Sequence, residues 1–175
     1  MIKDYAILAS GCFWCTETVF DNVNGVLSVI PGYIGGKTLN PSYEQICTGN
    51  TGHAEAVKIE YDRNTTSFYN LLKVFFKTHD PTTLNRQGND VGTQYRSSIF
   101  YKNDHELEIS KKIITELNKS KVYSSKIVTK LEKESKFYEA EDYHKKYFYK
   151  NPENMYCQLV VKPKIDKFLK DNSIT

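Results

Sequence analysis

The residues best suited to chemistry are two cysteines three positions apart, in the run GCFWC at residues 11–15. Cys12 stands where an apolar, strand-like stretch gives way to a predicted helix. The first turn of a helix offers free backbone N–H groups and a positive dipole end, both of which favour a thiolate. We therefore predict that Cys12 is a nucleophile with a modestly lowered pKa, and that Gly11 keeps its sulfur approachable.

The other three cysteines are candidates for supporting roles. Cys15 follows Cys12 at a helical spacing that is compatible with a disulfide, so it is a candidate resolving thiol, with simple burial as the equal alternative. Cys47 lies in a long loop and is interpreted as structural, with a redox role as the alternative. Cys157, in the strand-like run MYCQLVV, is interpreted as an inert core thiol. Zinc is not expected, because no second CxxC or histidine pair completes four ligands.

Two aromatic residues, Phe13 and Trp14, directly follow the predicted nucleophile, and Trp14 is the only tryptophan of the chain. Aromatic rings bind a methyl thioether, or its oxidised form, by apolar contact and S–aromatic attraction. We predict that these two rings form a substrate pocket, with ordinary core packing as the alternative.

A carboxyl group is predicted on a buried face of a strand. The run AEAVKIEY at 54–61 alternates, which places Glu55 on the same face as Val57, Ile59 and Tyr61. Partial loss of hydration raises the pKa of such a carboxyl group and keeps it protonated near neutral pH. Glu55 is therefore a candidate proton donor to a developing oxyanion, with a solvated strand end as the alternative.

Two long loops, at 31–53 and 79–96, carry further polar candidates. Long ordered loops are often functional. Tyr43 and Tyr95 have hydroxyl groups that can hold and polarise an oxygen atom, and Asp90 can orient a donor or a water molecule.

The elements that must position these residues alternate along the chain. Apolar patterns predict strands at 3–9, 25–34, 54–61, 97–101, 126–131 and 156–161, and helices at 12–21, 42–47, 66–78, 103–120 and 140–149. This mixture predicts an α+β sandwich in which helices cover a small sheet. The length of 175 residues fits a single domain spanning residues 1–175.

Composition excludes several classes of protein. The net charge of +3 is mild, and the lysines are mixed with acids, so nucleic-acid binding is not expected. The N-terminal run MIKDYAILASG is too short and too polar for a signal peptide, and no segment suggests a membrane span. We expect a cytoplasmic protein, in which cysteines stay reduced and available for chemistry.

Five segments together resemble the peptide methionine sulfoxide reductase A family, in the family's order and spacing and over nearly the whole chain. These segments are GCFWC at 11–15, GYIGG at 32–36, NPSYEQICTGNTGHAEAVKIEYD at 40–62, HDPTTLNRQGNDVGTQYRSSI at 79–99 and FYEAEDYHKKY at 137–147. The resemblance implies an α+β two-layer sandwich, and we expect a mixed, mainly antiparallel sheet with a ferredoxin-like core. It also implies reduction of the S epimer of methionine sulfoxide, both free and within proteins.

The resemblance also implies roles for the matching residues. Cys12 would attack the sulfoxide sulfur and become a sulfenic acid, while Phe13 and Trp14 would hold the methyl group.

The oxygen side of the site is carried over in the same way. Glu55 would protonate the sulfoxide oxygen, Tyr43 and Tyr95 would hold it, and Asp90 would orient the site. No metal or organic cofactor is implied, and we expect a monomer.

One departure from the family concerns recycling of the oxidised enzyme. Many members carry a resolving cysteine in a glycine-rich tail, whereas this chain ends in KFLKDNSIT. Recycling is then expected to use Cys15, less plausibly Cys47, or an external thiol acting directly on Cys12. A thioredoxin-like or other thiol reductant is the implied partner.

Overall fold

The computed structural model describes residues 1–173, so the last two residues of the predicted domain lie outside the described part. The strands are β1 (Lys3–Ser10), β2 (Val26–Ile34), β3 (Ala54–Asp62), β4 (Arg86–Gln87), β5 (Asp90–Val91), β6 (Ser97–Tyr101), β7 (Lys130–Lys133) and β8 (Tyr138–Glu139). The α-helices are α1 (Phe13–Asp21), α2 (Tyr43–Cys47), α3 (Phe68–Lys77), α4 (Asp104–Ser120), α5 (Tyr147–Lys150) and α6 (Lys162–Ser173).

Six strands form one mixed sheet in the order β7-β6-β1-β3-β2-β8, and β4 pairs with β5 as a separate hairpin. Only the β6–β7 pair is parallel among the described strand pairs. The succession β1-α1-β2-β3-α3-β6, with the spatial order β6-β1-β3-β2, is a ferredoxin-like core. The predicted α+β fold with a mainly antiparallel sheet is thus confirmed.

The amphipathic helix α3 shows why these residues form these elements. Ser67 caps its N-terminus by accepting the backbone N–H of Asn70. Its apolar residues recur at helical spacing and are all buried against the sheet, namely Phe68, Leu71, Leu72, Phe75 and Phe76. Burying each such side chain stabilises the fold by about 1.5–3 kcal/mol.

Two predictions for the segment between α4 and α5 are wrong in detail. The strand predicted at 126–131 begins only at Lys130 and runs to Lys133. The helix predicted at 140–149 is instead a 3-10 turn at Asp142–His144 followed by the short α5, and both come after β8. Lys146 has a φ of +57°, a left-handed backbone conformation that separates the last two elements and prevents one continuous helix.

The strand predicted at 156–161 is also wrong. Cys157–Val161 forms a π-helical turn that continues directly into α6, a helix that the sequence analysis did not predict. The buried side chains here are Cys157, Val161, Ile165 and Phe168, and their spacings of four, four and three residues are those of a helix face. Ile165 and Phe168 pack with Val19 of α1. Within residues 1–173, no helix combines the length and apolar composition that crossing a bilayer requires.

Candidate active site

The site is built where β1 meets α1. Gly11 has a φ of +94°, which turns the chain sharply, and a Cβ at this position would lie 2.7 Å from Cγ of Gln87. Both observations require glycine. Cys12 is the N-cap residue of α1, and only 9% of its surface is exposed. The predicted nucleophile therefore sits at the helix N-terminus, as expected, but largely covered.

The pKa of the Cys12 thiol is raised well above its ordinary value, so the predicted lowering is wrong. Burial is the largest cause, followed by a hydrogen bond with Cys15 and by the negative charge of Glu55. The backbone N–H of Trp14 at the start of α1 acts in the opposite direction. The loss of hydration outweighs the helix N-terminus, which leaves the resting Cys12 a neutral thiol.

Cys15 is the nearest thiol to Cys12. The hydrogen bond between them lowers the pKa of Cys15. Cys15 is 3% exposed and packs in one apolar cluster with Cys157, which is fully buried. The π-helical turn thus brings Cys157 beside Cys15, a placement that the interpretation of Cys157 as a strand residue missed. All four cysteines are free, and Cys47 is exposed.

Glu55 lies on the buried face of β3, in agreement with the alternation of its strand. It is 2% exposed, and its Oε1 atom accepts the backbone N–H of Phe13, the first residue of α1, at 3.1 Å. Burial raises the pKa of Glu55 to about 8, and the charges of Asp90 and Cys15 act in the same direction. At neutral pH the carboxyl group is therefore mostly protonated. It is hydrogen-bonded to Phe13, the residue that follows Cys12.

The two predicted tyrosines lie close to Glu55. Tyr43 begins α2, where its backbone N–H donates to Oε2 of Glu141 at 2.8 Å. Tyr95 ends a 3-10 turn at Thr93–Tyr95. Burial, and then the charge of Glu55, raise the pKa of both tyrosines, so both remain hydroxyl donors. The predicted oxygen-holding groups are thus brought to the same site as the acid.

Asp90 lies in the short strand β5 and accepts a hydrogen bond from Oη of Tyr156 at 2.6 Å. Its charge contributes to the raised pKa of both Glu55 and Tyr95, which places it among the same group of residues. Asp90 orients Tyr156 directly and has no hydrogen bond to Glu55 among the described residues.

The two predicted pocket residues differ in exposure. Phe13 is fully buried, with its ring 5.7 Å from that of Tyr33 and 6.5 Å from that of Tyr43. Trp14 is only partly buried and stacks on Tyr147, with ring centroids 3.8 Å apart and planes inclined by 5°. Trp14 therefore offers an accessible ring beside Cys12, whereas Phe13 packs in the hydrophobic core, which was the alternative to a pocket role.

Three residues of the site had no role in the sequence analysis. The indole N–H of Trp14 donates to Nδ1 of the fully buried His144 at 3.0 Å, and burial lowers the pKa of His144 to about 4, so the imidazole is neutral. Tyr147 stacks on Trp14, and Tyr156 lies edge-on to it. His144 and Tyr147 belong to the run FYEAEDYHKKY, which was the one signal that could have found them.

This arrangement suits the reaction of a thiol with a substrate whose sulfur atom carries an oxygen. A thiol, a neutral carboxyl group and two hydroxyl donors lie close enough to influence one another, next to a partly exposed aromatic ring. Such a site can attack an electrophilic sulfur while protonating the oxygen that the sulfur carries. Among residues 1–173, no group of three or more His, Cys, Asp or Glu side chains is arranged to hold a metal ion.

Comparison with known proteins points to the same chemistry. A family profile described as peptide methionine sulfoxide reductase matches residues 4–175. The peptide methionine sulfoxide reductase MsrA 1 of Rhodopirellula baltica is 57% identical over 95% of this chain and 85% of its own. The MsrA of Saccharolobus solfataricus is 52% identical over 95% of this chain and 93% of its own.

Solved structures resemble the fold. Reduced Mxr1 of Saccharomyces cerevisiae superimposes with a TM-score of 0.82 at 36% identity, covering 89% of each chain. Mxr1 in complex with Trx2 matches with a TM-score of 0.59 at 26% identity, covering 83% of this chain and 84% of that one.

Proposed function

Since this chain belongs to the peptide methionine sulfoxide reductase family, which reduces methionine sulfoxide with thiol reductants, we propose that it reduces the S epimer with Cys12 as nucleophile. The observation that carries these assignments is the hydrogen bond from the Phe13 N–H to Glu55. This hydrogen bond attaches a carboxyl group with a raised pKa to the residue that follows Cys12, and Cys12 itself is the N-cap of α1. The substrate is methionine sulfoxide, both free and within proteins.

Binding orients the sulfoxide before the reaction. Its methyl group packs against the exposed face of Trp14, which Tyr147 and His144 hold in place from behind. Its oxygen accepts hydrogen bonds from Tyr43, Tyr95 and protonated Glu55. A substrate held in this way presents its sulfur to Cys12.

The chemical step transfers one oxygen atom. The Cys12 sulfur bonds to the sulfoxide sulfur while the oxygen takes the proton of Glu55. The sulfur–oxygen bond of the substrate and the new sulfur–sulfur bond then break, the hydroxyl group moves to the Cys12 sulfur, and methionine leaves as the thioether. The proton that Cys12 gives up restores Glu55, so one thiol and one sulfoxide yield one sulfenic acid and one thioether.

Recycling of the oxidised enzyme uses Cys15, the buried thiol that is hydrogen-bonded to Cys12. Cys15 attacks the Cys12 sulfenic acid, a disulfide forms and water leaves. A thioredoxin-like dithiol then reduces the disulfide by exchange. The Trx2 complex of the yeast relative supports a reductant of this kind, and the cluster of Cys15 with Cys157 provides a further thiol for the exchange.

The assigned nucleophile is tested by Cys12→Ser, with Cys47→Ser as the matched control. We expect Cys12→Ser to lose all turnover of methionine-S-sulfoxide with dithiothreitol, since serine forms no sulfenic acid. Cys47 is exposed and its thiol hydrogen-bonds Tyr43; the serine of Cys47→Ser can keep that hydrogen bond, so this variant should keep the wild-type rate. Turnover by Cys12→Ser would show that another thiol is the nucleophile.

The resolving thiol is tested by mass spectrometry of enzyme that has reacted once with substrate in the absence of reductant. We expect a Cys12–Cys15 disulfide in the wild type and a persistent sulfenic acid in Cys15→Ser. A Cys12–Cys157 disulfide would assign resolution to Cys157, and a sulfenic acid in the wild type would assign it to an external thiol.

Several features rest on the sequence alone. A monomeric state, a cytoplasmic location, the single domain 1–175 and catalysis without a metal or organic cofactor stay predictions.

A further inference from the structure

A groove of about 900 Å³ lies beside the active site, between α3, α6 and the loop that leads from α3 to β4. None of the residues assigned above to substrate or chemistry lines it. Apolar side chains that form part of its wall include Val74, Tyr123 and Phe168. The groove is thus large enough for several residues of a polypeptide.

Lysines dominate the charge of this groove. The lining residues include four lysines, two at a spacing of four residues on α3 and two at a spacing of three on α6, so each helix directs a pair to one side. Two aspartates leave a formal charge of +2 on the lining. Within residues 1–173, none of the four lysines lies within ion-pair distance of a carboxylate. The charged lining residues are Lys73, Lys77, Lys164 and Lys167, with Asp80 and Asp171.

Gln87 connects the groove to the nucleophile. Its side chain is part of the groove lining and is fixed by two hydrogen bonds of 2.9 Å to the backbone of Asp80. The same side chain covers Gly11, where an added Cβ would lie 2.7 Å from its Cγ atom. Gly11 immediately precedes Cys12. The groove is therefore linked to Cys12 through the Gln87 side chain and Gly11.

Lys164 gives a second, electrostatic link. After the hydrogen bond from Cys12 and the opposing effect of burial, the charge of Lys164 is the next influence on the pKa of Cys15, and it lowers that pKa. The positive charge of one groove residue, Lys164, therefore reaches Cys15.

We propose that this groove binds an acidic segment next to the oxidised methionine in a protein substrate, so that the enzyme favours methionine sulfoxides flanked by Asp or Glu. The proposal rests on the proposed function, because it requires the sulfoxide to occupy the site beside Cys12. Carboxylates pair with the lysines, and apolar side chains between them pack on the groove wall. Asp80 and Asp171 disfavour a nucleic-acid backbone, which would bring a continuous row of phosphates past them.

A segment of the substrate fits this position better than the reductant does. The chain on one side of a sulfoxide bound at Cys12 must leave the site, and Gln87 of the groove lining packs against Gly11, the residue before Cys12. The reductant remains the alternative that the experiment separates.

The experiment compares three peptides with one central methionine-S-sulfoxide, flanked by Glu, Gln or Lys, together with N-acetyl methionine sulfoxide. KM and kcat are measured with dithiothreitol at low and high salt. Exposed ion pairs contribute about 0.2–1 kcal/mol each, so we expect the KM for the Glu peptide to be about three- to tenfold below that for the Lys peptide. The difference should shrink at high salt, because exposed charges are screened.

Charge reversal supplies the decisive variant. Lys164→Glu with Lys167→Glu should reverse the preference, so that the Lys peptide has the lower KM, while kcat/KM for N-acetyl methionine sulfoxide, which reports the reaction at Cys12 and not recycling through Cys15, is unchanged. The control reverses Lys111 and Lys112, two exposed lysines of α4 that do not line the groove. Lys164→Gln with Lys167→Gln is a second variant, which should remove the preference without reversing it if the double Glu variant does not fold.

Each outcome decides the question. Equal KM values for the three peptides with the wild type at low salt overturn the proposal but leave the proposed function intact, since all three are reduced. Failure to reduce any sulfoxide overturns the proposed function itself. If charge reversal changes only the rate with a thioredoxin-like protein and not the peptide KM values with dithiothreitol, the groove belongs to the reductant and the proposal is wrong.

Discussion

Two buried glutamates, Glu17 of α1 and Glu55 of β3, allow a direct comparison. Glu55 and Glu17 are 2% and 1% exposed, and each accepts backbone N–H groups at the start of a helix. Glu55 accepts the N–H of Phe13, the first residue of α1. Glu17, which is itself in α1, accepts the N–H of Lys146, which precedes α5. Burial is the largest cause of the raised pKa of both, to about 8 for Glu55 and about 7 for Glu17.

The surroundings of the two acids differ. Both oxygens of Glu17 accept the N–H of Lys146, at 2.9 and 3.0 Å, and Lys146 also forms an ion pair with Asp21. Glu55 accepts one backbone N–H, and its other electrostatic neighbours are thiols, tyrosines and Asp90. A raised pKa therefore reports burial, whereas the groups around an acid determine whether it joins two chain segments or donates a proton.

The largest expected effect separates the two acids by activity. Glu55→Gln removes the proton donor, so we expect kcat/KM for methionine-S-sulfoxide to fall by about two to four orders of magnitude, the range for a general acid. Glu17→Gln keeps an acceptor for the Lys146 N–H and should retain nearly wild-type kcat/KM. Steady-state kinetics of both variants with dithiothreitol measures the difference.

The pH profile strengthens this test. Glu55 donates its proton only while protonated, so wild-type activity should fall as the pH rises through about 8. The Glu55→Gln variant should lack this step, and Glu17→Gln should keep it. Similar losses of activity in both variants would mean that burial, and not position, matters for function.

A smaller effect is expected at the hydroxyl groups around Glu55. Tyr43→Phe and Tyr95→Phe each remove one donor to the substrate oxygen, and we expect kcat/KM to fall by about three- to tenfold in each, the loss of one hydrogen bond. Tyr101→Phe, at the far end of β6, is the matched control and should behave as the wild type. Unchanged kinetics in both site variants would remove the tyrosines from the assigned role.

The smallest effect compares the two acids by stability. Because the pKa of each acid is raised in the folded state, the native protein holds protons that the unfolded chain has lost, and its stability falls as the pH rises from about 4.5 to the folded pKa. Above pH 7 the loss of stability from Glu17 is mostly complete, whereas the loss from Glu55 continues to about pH 8. Between pH 7 and 8 the Tm of Glu55→Gln should therefore rise by about 2–4 °C relative to wild type.

The Glu17→Gln variant is the control for this measurement, which is made by thermal unfolding at several pH values. Its Tm difference from wild type should grow between pH 5 and 7 and then level off, since the pKa of Glu17 is about 7. A difference that keeps growing up to pH 8 in both variants would contradict the separation of the two pKa values.

Local pattern was enough to place Glu55. A strand alternates its side chains with a period of two, so the apolar residues Val57 and Ile59 determine which face of β3 is buried. The acid then lies on that face wherever the strand packs. The same reasoning predicted α3 and most of the central sheet.

Local pattern failed where distant packing decides the conformation. The run YCQLVV favours a strand by propensity, yet residues 157–161 continue into a helix, because Ile165 and Phe168 bury one helical face against α1. The pKa of Cys12 was misjudged for a similar reason. The burial of its sulfur depends on contacts from remote segments, which no local motif displays.

The stacking of Trp14 on Tyr147 has a spectroscopic consequence. This indole is the only one in the chain and is adjacent to Cys15, one member of the expected disulfide. Its fluorescence therefore arises wholly from the first turn of α1, where a newly formed disulfide would quench it. The protein carries an intrinsic optical probe of its own redox state, and stopped-flow emission can follow oxidation and recycling in real time without any label.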